Sequence, residues 1–188
     1  LQRGVLNTRM VPVGPLFNRF KRSIRDITQE LSTQVNLVID GEKTELDKRM
    51  IDEIGDPLNH LIRNCVDHGI ESADIRIQSG KPEIATVSLA ASHRGNNVFI
   101  IVEDDGRGID INRVKQTAVV RGIISQSSAD QLTEDEVAEL IFQPGFSTAS
   151  EISDISGRGV GMDIVRTKIA QLNGTVEVSS KYGVGTKF

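Results

Sequence analysis

The stretch FIIVEDDGRGID, residues 99–110, runs from an apolar strand straight into Asp104 and Asp105, with Gly106 and Gly108 behind them. Carboxylates at the mouth of a buried strand can accept hydrogen bonds, hold a cation or simply turn the chain, and a lone Asp-Gly pair is the usual mark of a hairpin turn. The common phosphate-gripping loops do not apply. The chain has no G-x-x-x-x-G-K-[ST], and neither Gly106–Gly108 nor Gly157–Gly159–Gly161 has G-x-G-x-x-G spacing. A second polar cluster lies in PLNHLIRNCVDHGIE, residues 57–71. There His60, Asn64, Asp67 and His68 fall at i, i+4, i+7 and i+8, one stripe of a helix beside its apolar face. A solvated face would give the same stripe, although such faces favour Lys and Glu over Asn, a weaker helix former. The Asn64 amide oxygen is a hard neutral ligand suited to Mg²⁺, which takes one or two protein oxygens plus phosphates and keeps most of its waters. His60 and His68, with Arg63 and Lys115, are candidate donors to phosphate oxygens. A zinc site would need three or four convergent ligands, and only two imidazoles are near.

The elements that must position these groups follow from periodicity. Pro15 opens a helix in which Leu16, Phe20, Ile24, Ile27 and Leu31 share a face. VNLVID (35–40) is a strand turned by Gly41. Asp47 caps a helical segment that GDP (55–57) is expected to break, with Asp56 as a new N-cap and Pro57 at the first helical position. Leu58, Leu61, Ile62, Cys65 and Val66 face inward on that second helix, which Gly69 ends. Strands are expected at 84–91 and 97–103, a helix from Asp110, and a Thr133–Glu136 capping box at the start of the next. Residues 143–160 form a long loop without apolar periodicity, of the kind that serves as a lid. A helix over 161–172 stopped by Gly174 follows, then strands at 175–180 and 185–188. The strands at 84–103 and 175–188 are expected to be neighbours. That favours an α/β two-layer sandwich, a mixed β-sheet with helices on one face, over a doubly wound fold.

Composition limits the partners. Aromatic residues are 4% of the chain and the net charge is −4, which argues against a stacking platform or basic face for nucleic acid. Cys65 is alone, so no disulfide framework is available, as suits a reducing cytoplasm. No apolar run is long enough for membrane insertion.

Four stretches stand in a fixed order, HLIRNCVDHG, DDGRGID, FQPGFST and GRGVGMDIV, followed by GVGTKF. Together they resemble the N, G1, F, G2 and G3 boxes of the ATPase superfamily that unites gyrase, the ninety-kilodalton heat-shock chaperone, MutL and histidine kinases. RMVPVGPLFNRFKRSIRD, ELDKRMIDEIGDPLNHLIRNCVDHGIE and GRGVGMDIVR narrow the likeness to the ATP-binding catalytic domain of the CheA family of chemotaxis histidine kinases. The resemblance covers residues 9–188, with the last strand cut short, and residues 1–8 look like the tail of the dimerisation helices. Where the family has Ala after the N-box Asn, this chain has Cys65.

The resemblance implies ATP and Mg²⁺ as cofactors and a role for each box. Asp104 would accept a hydrogen bond from the adenine amino group, with Gly106 and Gly108 letting the backbone approach the base. Asn64 would hold Mg²⁺, and His60 and His68 would act as catalytic contacts to phosphate, with Arg63, Asp67 and Lys115 nearby. Phe142, Ser147 and Thr148 belong to the F box, where simple core packing is the alternative. Gly157, Arg158, Gly159, Val160, Gly161 and Met162 form the phosphate-covering lid and the helix start behind it. Thr186, with Gly185, closes the pocket floor. In hydrolytic relatives a Glu four residues before the N-box Asn activates water; here that position is His60. The implied activity is therefore protein histidine kinase, with transfer in trans to a histidine phosphotransfer domain of the same or a partner chain. The implied setting is a cytoplasmic homodimer at receptor arrays on the inner face of the membrane, with coupling protein, chemoreceptors and response regulators. An ATP-hydrolysing clamp and a nucleotide-sensing scaffold are the rival readings.

Overall fold

The computed structural model describes residues 9–146 and 161–188. Strand β2 (Val35–Asp40) pairs in parallel with β4 (Ala85–Arg94), and β4 pairs antiparallel with β5 (Asn97–Asp104). Beyond β5 lie β7 (Gly185–Lys187) and then β6 (Ser179–Lys181), both antiparallel, which gives a mixed five-stranded sheet in the order β2-β4-β5-β7-β6. Two short strands, β1 (Met10–Pro12) and β3 (Glu45–Asp47), make a separate ribbon that the apolar pattern did not signal. Strand β4 alternates buried and half-buried residues, as a sheet covered on one face requires. Its inward residues Val87, Leu89 and Ala91 meet the apolar stripes of the long helices, while Val38 and Phe99 stand exposed. The two-layer sandwich expected from the sequence is the fold observed.

Helix α1 (Gly14–Glu30) buries Leu16, Phe17, Phe20, Ile24 and Ile27, in the phase its spacing foretold. Helix α2 (Lys48–Asn64) is capped by Asp47, whose carboxylate accepts from the Arg49 N–H at 2.8 Å. The break expected at Asp56–Pro57 does not occur: α2 runs through Pro57. Proline costs the helix one internal hydrogen bond. The buried residues Ile51, Ile54, Leu58, Leu61 and Ile62 stay in phase on both sides of it, and that shared face outweighs the loss.

After Asn64 the chain enters a π-helical turn, Cys65–Gly69, and continues through α3 (Ala73–Gln78). Helix α4 (Ile111–Val120) starts at the Asp110 cap, and α5 (Gln126–Ala129) is a single turn. Helix α6 (Glu134–Glu139) carries the expected capping box and leads into a 3₁₀ turn, Leu140–Phe142. Helix α7 (Met162–Gln171) ends with Asn173, not Gly174, in the left-handed conformation, at φ 59°. The C-terminal strands are shorter than the spacing suggested. The Val178 N–H donates to the Glu139 carboxylate at 3.2 Å instead of joining the sheet. Pairing nonetheless extends past β7, where Phe188 and Val102 exchange both backbone bonds at 2.8 and 2.9 Å. No helix among the described residues is long and apolar enough to cross a membrane.

Candidate active site

Asp104 is the last residue of β5, flanked by Val87 of β4 and Thr186 of β7. Only 5% of it is exposed. Its Oδ1 accepts the Gly106 N–H at 2.9 Å, and the Cys65 thiol and the Thr186 N–H lie close enough to favour the ionised carboxylate. Burial raises the Asp104 pKa above the ordinary carboxylate range; the Gly106 N–H, the thiol and the Thr186 N–H pull the other way, and the Asp105 charge adds to the rise. The same burial, and then the Asp104 charge, hold the Cys65 thiol well above its usual range. A carboxylate is thus kept dry at the end of the central strand, bonded to the Gly106 N–H.

The turn after Asp104 is not a hairpin. The Arg107 N–H donates to the Gly69 carbonyl at 2.7 Å, and the Gly183 N–H donates to Arg107 at 2.7 Å, so the loop lies between the π-turn and the β6–β7 turn. The glycines serve this packing. A Cβ on Gly106 would stand 2.0 Å from the Gly69 carbonyl oxygen. Gly108, at φ 72°, would bring its Cβ to 2.3 Å from the Lys181 carbonyl oxygen. In this structure the close approach that both glycines permit is protein to protein.

The expected polar stripe is altered at its end by the π-turn. That turn inserts an extra residue relative to α-helical phase, a device common at functional sites. Cys65 and Val66 go inward, Asp67 and His68 are exposed, and the His68 Nε2 lies 3.7 Å from Asp67. Asp67 and His68 therefore do not continue the His60–Asn64 stripe in the even spacing expected of one α-helix. The same turn brings Gly69 against Asp104, where a Cβ would meet the carboxylate at 3.4 Å. His60 and Asn64 remain on the last turns of α2, both half-buried. Arg63 reaches Glu30 of α1 at 3.5 Å, an ion pair that turns it toward that helix. Lys115 sits half-buried on α4.

The Asn64 Nδ2 donates to the Met162 Sδ at 2.9 Å, which ties α2 to the first residue of α7. The bond fixes the amide's sense and leaves Oδ1 as the atom for a cation, so the donor chemistry at Asn64 fits Mg²⁺. Gly161 occupies the N-cap of α7 with no side chain to cover the first-turn N–H groups. Thr186 is buried, its hydroxyl 3.0 Å from that of Ser180. Phe142 is a core residue: it meets Phe188 edge-to-face at 6.3 Å and lies under the Arg166 guanidinium at 4.4 Å. Ser147, Thr148, Gly157, Arg158, Gly159 and Val160 lie outside the described residues, as do residues 1–8.

Four charged residues, of which the sequence singled out only Asp105 and gave it no role, form a cluster behind the loop. Arg76 is wholly buried and pairs with Glu71 and Asp105, each at 3.1 Å, while Lys81 reaches Glu71 at 2.8 Å. Burial alone would raise the Glu71 pKa, but the Lys81 hydrogen bond, the backbone N–H and the two cations bring it below its ordinary value. The second carboxylate of DDGRG was the one available signal, since it had no role at the pocket.

Residues 53–188 match the profile of the histidine kinase-, DNA gyrase B- and HSP90-like ATPases. The chain belongs to that family. The match spans the N-box helix, the Asp104 loop and both C-terminal strands of this ATPase fold. Chemotaxis protein CheA of Bacillus subtilis is 54% identical over the whole chain, and sensor histidine kinase CheAY of Helicobacter pylori is 50% identical over 99% of it. The chain spans 28% and 23% of the length of these two relatives. Among solved structures, the nucleotide-free catalytic domain of histidine kinase ThkA superposes with a TM-score of 0.54 at 15% identity, covering 96% of this chain and 91% of that one. The histidine kinase domain of a blue-light activated kinase from Erythrobacter litoralis gives 0.52 at 20% identity, covering 94% of this chain and 58% of that one. These two likenesses establish the shared ATPase fold.

Proposed function

We propose that this chain is the ATP-binding catalytic domain of a chemotaxis histidine kinase, and that it passes the γ-phosphoryl group to a histidine on a separate phosphotransfer domain. The observation that carries this reading is the buried carboxylate of Asp104, bonded to the Gly106 N–H and set against the turn that ends the N box. Similarity along the whole of this chain to part of a chemotaxis protein and of a sensor histidine kinase supports it. Residues 9–188 are the catalytic domain in this reading, and residues 1–8 the tail of preceding dimerisation helices.

Asp104 accepts the adenine amino hydrogen, in an environment of low dielectric where such a bond is strong. Asn64 offers Oδ1 to Mg²⁺, which when bound neutralises phosphate charge. His60 and His68 donate to phosphate oxygens from α2 and the π-turn, and Gly161 opens the α7 N-terminus to the same anion. The residues thus orient the γ-phosphoryl group without supplying a nucleophile. An imidazole nitrogen of the incoming domain attacks phosphorus as the bond to the ADP oxygen breaks, ADP leaves, and the imidazole sheds its N–H proton. Position 60 carries imidazole where a water-activating carboxylate would favour hydrolysis. A homodimer with coupling protein, chemoreceptors and response regulators, in the cytoplasm at receptor arrays, is the setting this function requires.

The chain's histidines are His60, His68 and His93, and the last is exposed at the end of β4. None is presented on a helical bundle to a bound nucleotide. Incubation with labelled ATP should therefore label an added histidine phosphotransfer domain, in acid-labile form, and leave this chain unlabelled. Label on this chain alone, or rapid release of free phosphate with no labelled acceptor, overturns the reading.

A further inference from the structure

The loop after Asp104 packs Ile109 on the core, but Gly106 and Gly108 supply no side chains to hold its tip. It is held from behind by charge. The Arg76 Nη1 and the Lys81 Nζ donate to the Asp105 carbonyl at 3.1 and 3.0 Å, and Lys81 also donates to the Gly106 carbonyl at 2.6 Å. The Asp105 carboxylate accepts Arg76 Nη2 through one oxygen at 3.1 Å and the Thr86 N–H through the other at 2.9 Å. Glu71 accepts both cations, and the Arg76 Nε is taken up by the Pro82 carbonyl at 2.7 Å. Two cations and two carboxylates balance, and nearly every Arg76 donor is used. Buried charge such as that of Arg76 and Glu71 is tolerated only when its hydrogen bonding is this complete.

We propose that Arg76 and Lys81, with Glu71 and Asp105, are positioning residues that set how sharply the site reads the nucleotide base. The inference rests on Asp104 as the acceptor of the adenine amino group. The Gly106 N–H that steadies the Asp104 carboxylate belongs to the residue whose carbonyl Lys81 grips. Adjacent aspartates are thereby divided: Asp104 turns toward Gly69 and Cys65, and Asp105 anchors the loop behind it. If the loop is released, Asp104 loses its fixed direction, and hydrogen-bond selectivity depends on that direction.

The test is calorimetric titration of the whole chain with ADP and with GDP, alongside thermal unfolding, for the parent, Lys81→Met and Lys48→Met. Lys48 pairs with Asp52 at the exposed start of α2 and serves as control. The parent should prefer ADP. Lys81→Met should weaken ADP about ten-fold, the loss expected for charge-assisted bonds, and leave GDP nearly unchanged, so that the preference narrows. Lys81→Arg should restore most of it, and Lys48→Met should leave both affinities alone. A merely structural Lys81 would lower the unfolding temperature and keep the parental ADP-to-GDP ratio, which overturns the proposal. A parent with no preference overturns the Asp104 reading as well, and is seen before any variant is made. Should Lys81→Met not fold, Asp105→Asn removes one charge from the same cluster without changing shape, and the same ratio decides.

Discussion

At the β5 end of the site the Asp104 carboxylate is buried and bonded within the protein, whereas at the α2 end His60 and Asn64 are half-buried and the π-turn side chains lie open to solvent. Asp104 is held by the Gly106 N–H with the Cys65 thiol close by, and its loop is held by Arg76 and Lys81. Asp67 and His68 are exposed, and Asn64 is steadied by a single bond to Met162. The first end is preorganised and the second awaits charge from outside. The contrast suits a site that reads a flat base by geometry and a polyphosphate by electrostatics. Substitutions at the two ends should accordingly fail in different ways.

The largest effect should come from Gly106→Ala. Its Cβ would collide with the Gly69 carbonyl, so the loop or the π-turn must move, at about 3 kcal/mol or more. Denaturant unfolding should show the loss directly. A midpoint equal to the parent's would mean that the two loops are not locked together.

Asp104→Asn comes next. Loss of a charge-assisted bond to adenine should weaken ATP by about 1.5–3 kcal/mol and erode its advantage over GTP. The pH dependence follows from the raised Asp104 pKa. Proton uptake favours the folded protein, so this group's contribution to stability grows as pH falls through its folded pKa. Base recognition needs the ionised form and should decline over the same window, beginning above the ordinary carboxylate range. Affinity and unfolding temperature measured together against pH should thus move in opposite directions for the parent relative to Asp104→Asn. Parallel curves would assign the acid sensitivity to other groups.

At the outward-facing end, Asn64→Ala should remove the response to magnesium and leave adenine binding weak but present. Titrations in Mg²⁺ and in chelator should then nearly coincide for the variant and differ for the parent. Equal strengthening by magnesium in both would exclude Asn64 as the ligand.

The smallest change should be Cys65→Ala, which deletes a buried thiol and one donor to Asp104, at a cost near 1 kcal/mol. The parental thiol is buried and held protonated, so it should resist alkylation until the protein unfolds. Rapid native labelling would show that the π-turn opens.

Periodicity and caps were enough to reveal α1, the Asp47 and Asp110 caps, the capping box at Thr133 and the two hairpins of the sheet, because each depends on residues within a few positions of one another. The order of the glycine- and asparagine-bearing boxes pointed to the candidate site for the same reason. Pro57 shows the limit. Its local preference is to start a helix, yet burial of Ile54 and Leu58 against distant residues carries α2 through it. The π-turn is equally invisible to a count based on α-helical phase. In ADIRIQ, hydropathy would turn Ile75 and Ile77 inward and Arg76 outward; the structure leaves the isoleucines 52% and 57% exposed and buries the arginine completely. The carboxylates and carbonyls that reverse that order come from Glu71, Pro82 and Asp105, and only the packed sheet brings the loop after β5 to α3. Chemistry carried by neighbours in the chain was determined by the sequence, while chemistry that depends on which backbone atoms meet across the fold was decided by the tertiary structure, because desolvation and hydrogen bonding act through space.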